Sequence, residues 1–173
     1  MKKLTLFLFG SVLLFSSCNK EEATQFEVDY NTEVVVEASS QIESFDLTSP
    51  EVTTNSQEKF ETNNTNADNI EEVTLKDLDL TVTSPSDQNF DFLESVEVYI
   101  NAPGKSELRI AYKNSIPEGM SELSLQTVDA DLAEYVKSSS FTLRFKAETD
   151  EVFAEDVHIK AYSNFQVDAI IAD

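Results

Sequence analysis

Apolar and polar side chains alternate along stretch after stretch of this chain, and that period of two constrains its fold more than any other feature. Phe26, Val28, Tyr30, Val34, Val36 and Ala38 share one parity, while Glu27, Asp29, Asn31, Glu33 and Glu37 take the other. Successive side chains of a strand point to opposite faces, so this stretch reads as strand with one face on a core. Phe141, Leu143, Phe145 and Ala147 repeat the pattern against Thr142, Arg144, Lys146 and Glu148. Val157, Ile159, Ala161, Phe165, Val167, Ala169 and Ile171 form the longest run of all. Phe141, Leu143, Phe145, Ile159 and Val167 are therefore expected in the core.

Where the alternation breaks, it says as much as where it holds. Val73 and Leu75 are odd, but Leu78, Leu80 and Val82 are even. A phase change flips the buried face, so a bulge or a crossing between sheets is expected near Lys76-Asp77. Val96, Val98 and Ile100 are expected to pair with Leu108, Ile110 and Tyr112 across the turn residues Pro103 and Gly104. Leu123 and Leu125 give a short strand after the Ile116–Gly119 turn, and residues 55–69, rich in Asn and Thr, read as a loop with one helical turn before Ile70. Residues 129–137 carry the one helix pattern. Leu132, Tyr135 and Val136 have i, i+3, i+4 spacing, and Asp129 or Asp131 is placed to cap them.

The sum is eight or nine strands and one short helix, without internal repeats. Long helices do not alternate with the strands, which argues against a parallel α/β sheet. Short strands separated by turn signals point instead to an all-β fold, an antiparallel β-sandwich of immunoglobulin-like or similar type. The core cysteine pair and tryptophan of true immunoglobulin domains are missing, since the chain has one Cys and no Trp.

The N-terminus is built differently. Lys2 and Lys3 precede an apolar run from Leu4 to Phe15, then Ser16, Ser17 and the lone Cys18. A basic start, an apolar stretch shorter than the roughly 20 residues of a membrane span, and small residues before a cleavage point are the parts of a secretory signal. Leu13-Leu14-Phe15-Ser16-Ser17-Cys18 resembles the lipobox of bacterial lipoproteins, with Phe15 where that family usually carries Leu. The resemblance implies that Cys18 receives lipid and becomes the first residue of the mature chain. Lys20, Glu21 and Glu22 are similar to the tag that sends such proteins to the outer surface of the outer membrane in some Gram-negative bacteria. The resemblance covers residues 1–22 only. It divides the chain into a signal peptide (1–17), a lipidated tether (18–24) and one folded domain (25–173).

Cleavage before Cys18 would leave 156 residues with 10 Lys and Arg against 33 Asp and Glu, a charge of −23. Nucleic acid is an unsuitable partner for that field, because phosphates need clustered cations. The expected membrane contact is through the lipid alone, and mutual repulsion favours a monomer.

Catalytic and cofactor motifs are sparse. His158, the only histidine, alternates with Val157 and Ile159, which places it on a polar face without a nucleophile motif. Gly104 and Gly119 are the only glycines after the leader, too few for a phosphate-cradling loop. Asp77 with Asp79, Asp129 with Asp131, and Asp87 with Asp91 offer oxygen ligands at short spacing. Strand alternation explains the first pair and helix capping the second, while the third lacks the glycine of a calcium loop. No metal, cofactor or catalytic residue is assigned. Tyr99 and Tyr162 fall on the outward parity of their strands, making them the candidate ligand platform. The expected function is thus a non-enzymatic, lipid-anchored envelope protein with a binding or structural domain. A carbohydrate-binding or adhesion module is the alternative, and a carboxylate-dependent hydrolase is more distant.

Overall fold

Strand pairing follows the alternation almost throughout. The computed structural model describes residues 22–39 and 41–171. Its ten strands are β1 (Ala23–Val36), β2 (Ser44–Thr48), β3 (Val52–Thr53), β4 (Ile70–Ser84), β5 (Leu93–Asn101), β6 (Leu108–Lys113), β7 (Glu122–Ser124), β8 (Gln126–Thr127), β9 (Ser140–Thr149) and β10 (Val157–Ile170). All pair antiparallel. One sheet runs β1-β10-β4-β7, the other β2-β9-β5-β6-β8, with β3 also on β9. The all-β antiparallel sandwich is present, and the strands beyond the expected eight or nine include the two-residue β3 and β8, too short to show a period.

The phase change in β4 is a bulge. Leu75 lies opposite Phe165 and Asp77 opposite Asn164, so Lys76 has no counterpart on β10. Leu75 and Leu78 can then both face the core although their parities differ. A second bulge corrects one expectation. Val98 pairs with Ala111 and Tyr99 with Arg109, so Ile110 is the extra residue. Ile110 and Ala111 are both fully buried, which turns the following Tyr112 away from the core side on which simple alternation placed it.

The chain changes sheets in a few residues. Leu123 in β7 faces Leu80 of the first sheet, Leu125 N donates to Leu78 O at 2.9 Å, and Gln126–Thr127 join β6 of the second sheet. Leu123 and Leu125 are both buried, closing that side of the core.

Two helices pack on the sandwich. Residues 55–69, expected as loop, hold α1 (Ser56–Thr62) and a 3-10 turn at Ala67–Asn69. Phe60 is the one apolar residue of α1 and shows no helical period. It is fully buried with its ring 6.3 Å from that of Phe26, so tertiary packing supplies what local sequence lacks. The expected 129–137 helix contracts to α2 (Ala133–Val136). Asp131 Oδ1 accepts from Ala133 N at 2.9 Å and from Val73 N at 3.2 Å, tying the helix start to β4.

Phe141, Leu143, Phe145, Ile159 and Val167 are all buried, as the alternation requires. Tyr30, Phe141 and Phe165 form an edge-to-face trio with centroids 5.2, 5.8 and 6.1 Å apart. A buried ring of this kind stabilises by about 1.5–3 kcal/mol through area alone, before packing geometry adds to it. The Tyr30 hydroxyl donates to Thr54 O at 3.1 Å, and burial pushes its pKa far above the usual phenol range.

At the N-terminal end, pairing starts earlier than the tether boundary at 24 implied. Ile171 N donates to Glu22 O at 2.9 Å, and β1 begins at Ala23. Cys18, Lys20 and Glu21 lie outside the described residues, while Glu22 is exposed.

Candidate functional site

Tyr99 and Tyr162 sit on the outer faces of opposite sheets, and the two settings differ. On the second sheet, Arg144 of β9, Tyr99 of β5 and Arg109 of β6 form one cross-strand row. These are the only arginines in the chain. The Arg144 guanidinium lies 4.6 Å from the Tyr99 ring centroid and donates twice to Glu107, at 2.6 and 2.5 Å, and once to Asp46 at 2.7 Å. Arg109 donates to Glu97 at 2.6 Å and lies 5.0 Å from the Tyr112 ring. The Tyr99 hydroxyl donates to Glu97 at 2.9 Å. Hydrogen bonds from Arg109 and then Tyr99 hold the Glu97 carboxyl below its ordinary range, and Arg144 does the same for Glu107. Every charged group in the row has a partner, and one face of the Tyr99 ring is covered. An incoming sugar would meet a guanidinium there, not an open aromatic plane.

On the first sheet, Tyr162 of β10, Asp79 of β4 and Ser124 of β7 make a comparable row. The next row along is Lys160, Thr81 and Glu122. An open groove of about 590 Å³ runs here, lined by Tyr162, Asp79, Thr81, Glu122 and Ser124, with Lys113 and Met120 on its rim. Lys113 Nζ donates to Ser124 O at 3.1 Å. Among the described residues, neither Asp79 nor Glu122 is in an ion pair. The Tyr162 hydroxyl accepts from Asn164 Nδ2 at 3.3 Å, which leaves its own proton free to donate outward. Asn164 in turn donates to Glu27, whose other oxygen pairs with Lys76 at 2.5 Å. A braced polar chain thus ends at the tyrosine, beside a half-buried aromatic ring, two unpaired carboxylates and two hydroxyls.

The remaining candidates have structural duties. His158 is partly exposed, with Nδ1 2.9 Å from Glu33 Oε1. Asp91 fastens two loops, accepting from Gly119 N at 2.5 Å and from Asn89 Nδ2 at 2.7 Å. Asp77 falls on β4 opposite Asn164, and Asp131 is the tie between α2 and β4 described above. Among the described residues, no three acidic, histidine or cysteine side chains converge as a metal site. A wider groove of about 810 Å³ lies at the N-terminal end, between the start of α1 and Lys137, but its lining includes no aromatic residue.

Sequence reasoning picked out Tyr162 but missed the partners that make its groove. Asp79, Thr81, Glu122 and Ser124 come together only through strand register, and no spacing along the chain relates them. Lys113 arrives from the other sheet.

No protein-family model matches the chain, and no curated protein matches it. Among solved structures, one of Desmodium yellow mottle tymovirus aligns over 100% of this chain and 97% of its own, at 8% identity and a TM-score of 0.30, a likeness too slight to carry any argument.

Proposed function

We propose that this protein is a lipid-anchored component of the bacterial cell envelope whose sandwich is a non-enzymatic binding module, and that the Tyr162 groove takes carbohydrate. The observation that carries the binding reading is the groove itself. An aromatic ring next to unpaired carboxylates and hydroxyls offers an apolar plane for a sugar face and acceptors for its hydroxyls. Aromatic and polar groups set side by side in a shallow groove favour the carbohydrate reading over a purely structural one. The carboxylates whose pKa values are clearly perturbed (Glu27, Glu97 and Glu107) are all lowered by partners, which suits structural pairing better than general acid catalysis.

The lipobox-like segment ending at Cys18 supplies the anchor in this reading. Since Glu22 is already tied to Ile171, the link from Cys18 spans at most about 14 Å when fully extended. Its N-terminal end would therefore sit close to the membrane, and the ends of β1 and β4 would point away from it.

Two measurements test the proposal separately. In cell fractionation, Cys18→Ser should release the protein from membranes, and a mutant that stays bound would remove the anchor. Glycan-array screening followed by calorimetry should find a ligand whose affinity falls at least tenfold in Tyr162→Ala and stays unchanged in Tyr99→Ala. Equal loss in both variants, or no glycan bound at all, would remove the groove.

A further inference from the structure

We propose that the outer edge of β1 over residues 31–36 is a strand-addition site for an extended segment of another protein, one in which aliphatic residues alternate with Lys or Arg. β1 is 14 residues long and pairs only with β10, so its other edge has no hydrogen-bonded strand among the described residues. Antiparallel strands send their backbone groups alternately to each side. Ser163 Oγ donates to Tyr30 O and Ile171 N to Glu22 O, which places the even-numbered carbonyls toward β10. Asn31, Glu33 and Val35 therefore turn their N–H and C=O groups to the open side. Near the start of β1 that side is guarded: Lys59 of α1 donates to Asp29 O at 2.9 Å, and Phe60 packs on Phe26. Beyond Asp29, the open-side N–H and C=O groups of residues 31, 33 and 35 have no hydrogen-bond partner among the described residues.

The open half is also apolar where an added strand would need it to be. Val34 and Val36 are themselves buried in the core, but Phe45 and Leu47 of β2, which pack against that core from the second sheet, are only partly buried. Large apolar side chains that stand exposed also gather toward this end of the sandwich. They are Val35 (38%), Ile42 (62%) and Val152 (56%). The Ser39–Phe153 bridge brings the loops bearing Ile42 and Val152 side by side next to the end of β1. An exposed edge beside exposed apolar groups is what native proteins usually cover or charge.

Charge selects the occupant. Glu37 follows β1, Glu43 accepts from Ser39 Oγ, and Glu151 and Glu155 flank the Phe153 that bridges to Ser39. Glu33 on β1 lies 2.9 Å from His158 Nδ1 with one carboxylate oxygen, and the chain as a whole has net charge −21. A second copy of β1 would bring Glu33 and Glu37 against their own likenesses. A segment alternating Lys with Val would instead extend the sheet by main-chain hydrogen bonds. Its valines would pack over the partly buried Phe45 and Leu47, while its lysine stems would cross Val35 to reach Glu33 and Glu37. The site does not depend on the lipid anchor, and it shares no residue with the Tyr162 groove.

The test uses the purified full-length chain in nonionic detergent and a nine-residue peptide alternating Lys and Val. A block peptide of the same composition, with all lysines first, controls for diffuse attraction to an acidic surface. The alternating peptide should bind at least tenfold more tightly than the block peptide, and hydrogen exchange should slow at Asn31, Glu33 and Val35. Glu33→Pro removes an open-side N–H without touching the β10 ladder, so binding should fall at least tenfold with little change in melting temperature. Should that variant unfold, Glu33→Lys with Glu37→Lys provides the second test by shifting preference toward a Glu–Val peptide. Equal binding of the alternating and block peptides would overturn the site, as would an unchanged preference in the double variant. Concentration-dependent dimerisation of the chain through β1 would also overturn it, by making the second copy the occupant.

Discussion

The two outer faces of the sandwich use similar residues in opposite ways. On the second sheet, arginines, tyrosines and carboxylates satisfy one another in a closed row from Asp46 through Arg144 and Tyr99 to Glu97 and Arg109. On the first sheet, Tyr162 lies beside Asp79 and Glu122, acids without an ion-pair partner among the described residues. A polar face that has spent its donors and acceptors internally supports the fold. One that has not can turn them toward a ligand. The distinction lies in partners, because both faces present tyrosine and acid to water.

Beneath the surface the comparison should vanish, and there the effects are largest. Phe165 lies under the first sheet's face and Phe145 under the second's, both buried. Truncating either to alanine should cost about 3–5 kcal/mol in urea unfolding, because each leaves a cavity in the same core. A cost below about 1 kcal/mol for one of them would mean that the two faces do not share a core.

At the surface the faces should part. Arg144→Ala should destabilise by about 1 kcal/mol, the upper end for exposed pairs, since its guanidinium binds bidentately and stacks on Tyr99. Lys113→Ala on the groove rim should change stability by less than about 0.5 kcal/mol. The Arg144 effect should also depend on pH. Glu107 is depressed in the folded state, so its pairing stabilises above the unfolded carboxylate value near 4.3 and fades as pH falls through the lower folded value. The gap between wild type and Arg144→Ala should therefore close below about pH 4. An equal gap at pH 7 and pH 3 would assign the effect to stacking.

The finest discrimination removes one oxygen. Tyr99→Phe breaks the bond to Glu97 and should cost about 0.5–1 kcal/mol, whereas Tyr162→Phe should stay under about 0.5 kcal/mol while still weakening any glycan that accepts from that hydroxyl. Equal stability losses in chemical melts would show that the Tyr162 hydroxyl serves the fold no less than that of Tyr99.

Much of this architecture was legible in the chain, and the limits are physical. Alternation located the long strands and their buried faces because a half-buried strand must repeat every second residue. It even placed the β4 bulge, where Leu75 and Leu78 could not otherwise share a face. The Ile110 bulge left no such mark, because Ile110 and the small Ala111 can both be buried without a visible break in polarity. α1 was invisible for a related reason, since one phenylalanine among polar residues carries no period. Of the candidate platform, parity found both tyrosines. It could not say that Arg144 covers one of them.

The sequence by itself determined the antiparallel sandwich, the buried Phe141 and Phe145 of β9 and the acidic composition, because each is written in local pattern or composition. Tertiary structure alone decided which strands share a sheet. It put Asp79, Ser124 and Tyr162 in one row and left one edge of β1 without a paired strand among the described residues. Those outcomes depend on register and strand order, which arise from contacts between residues far apart in the chain.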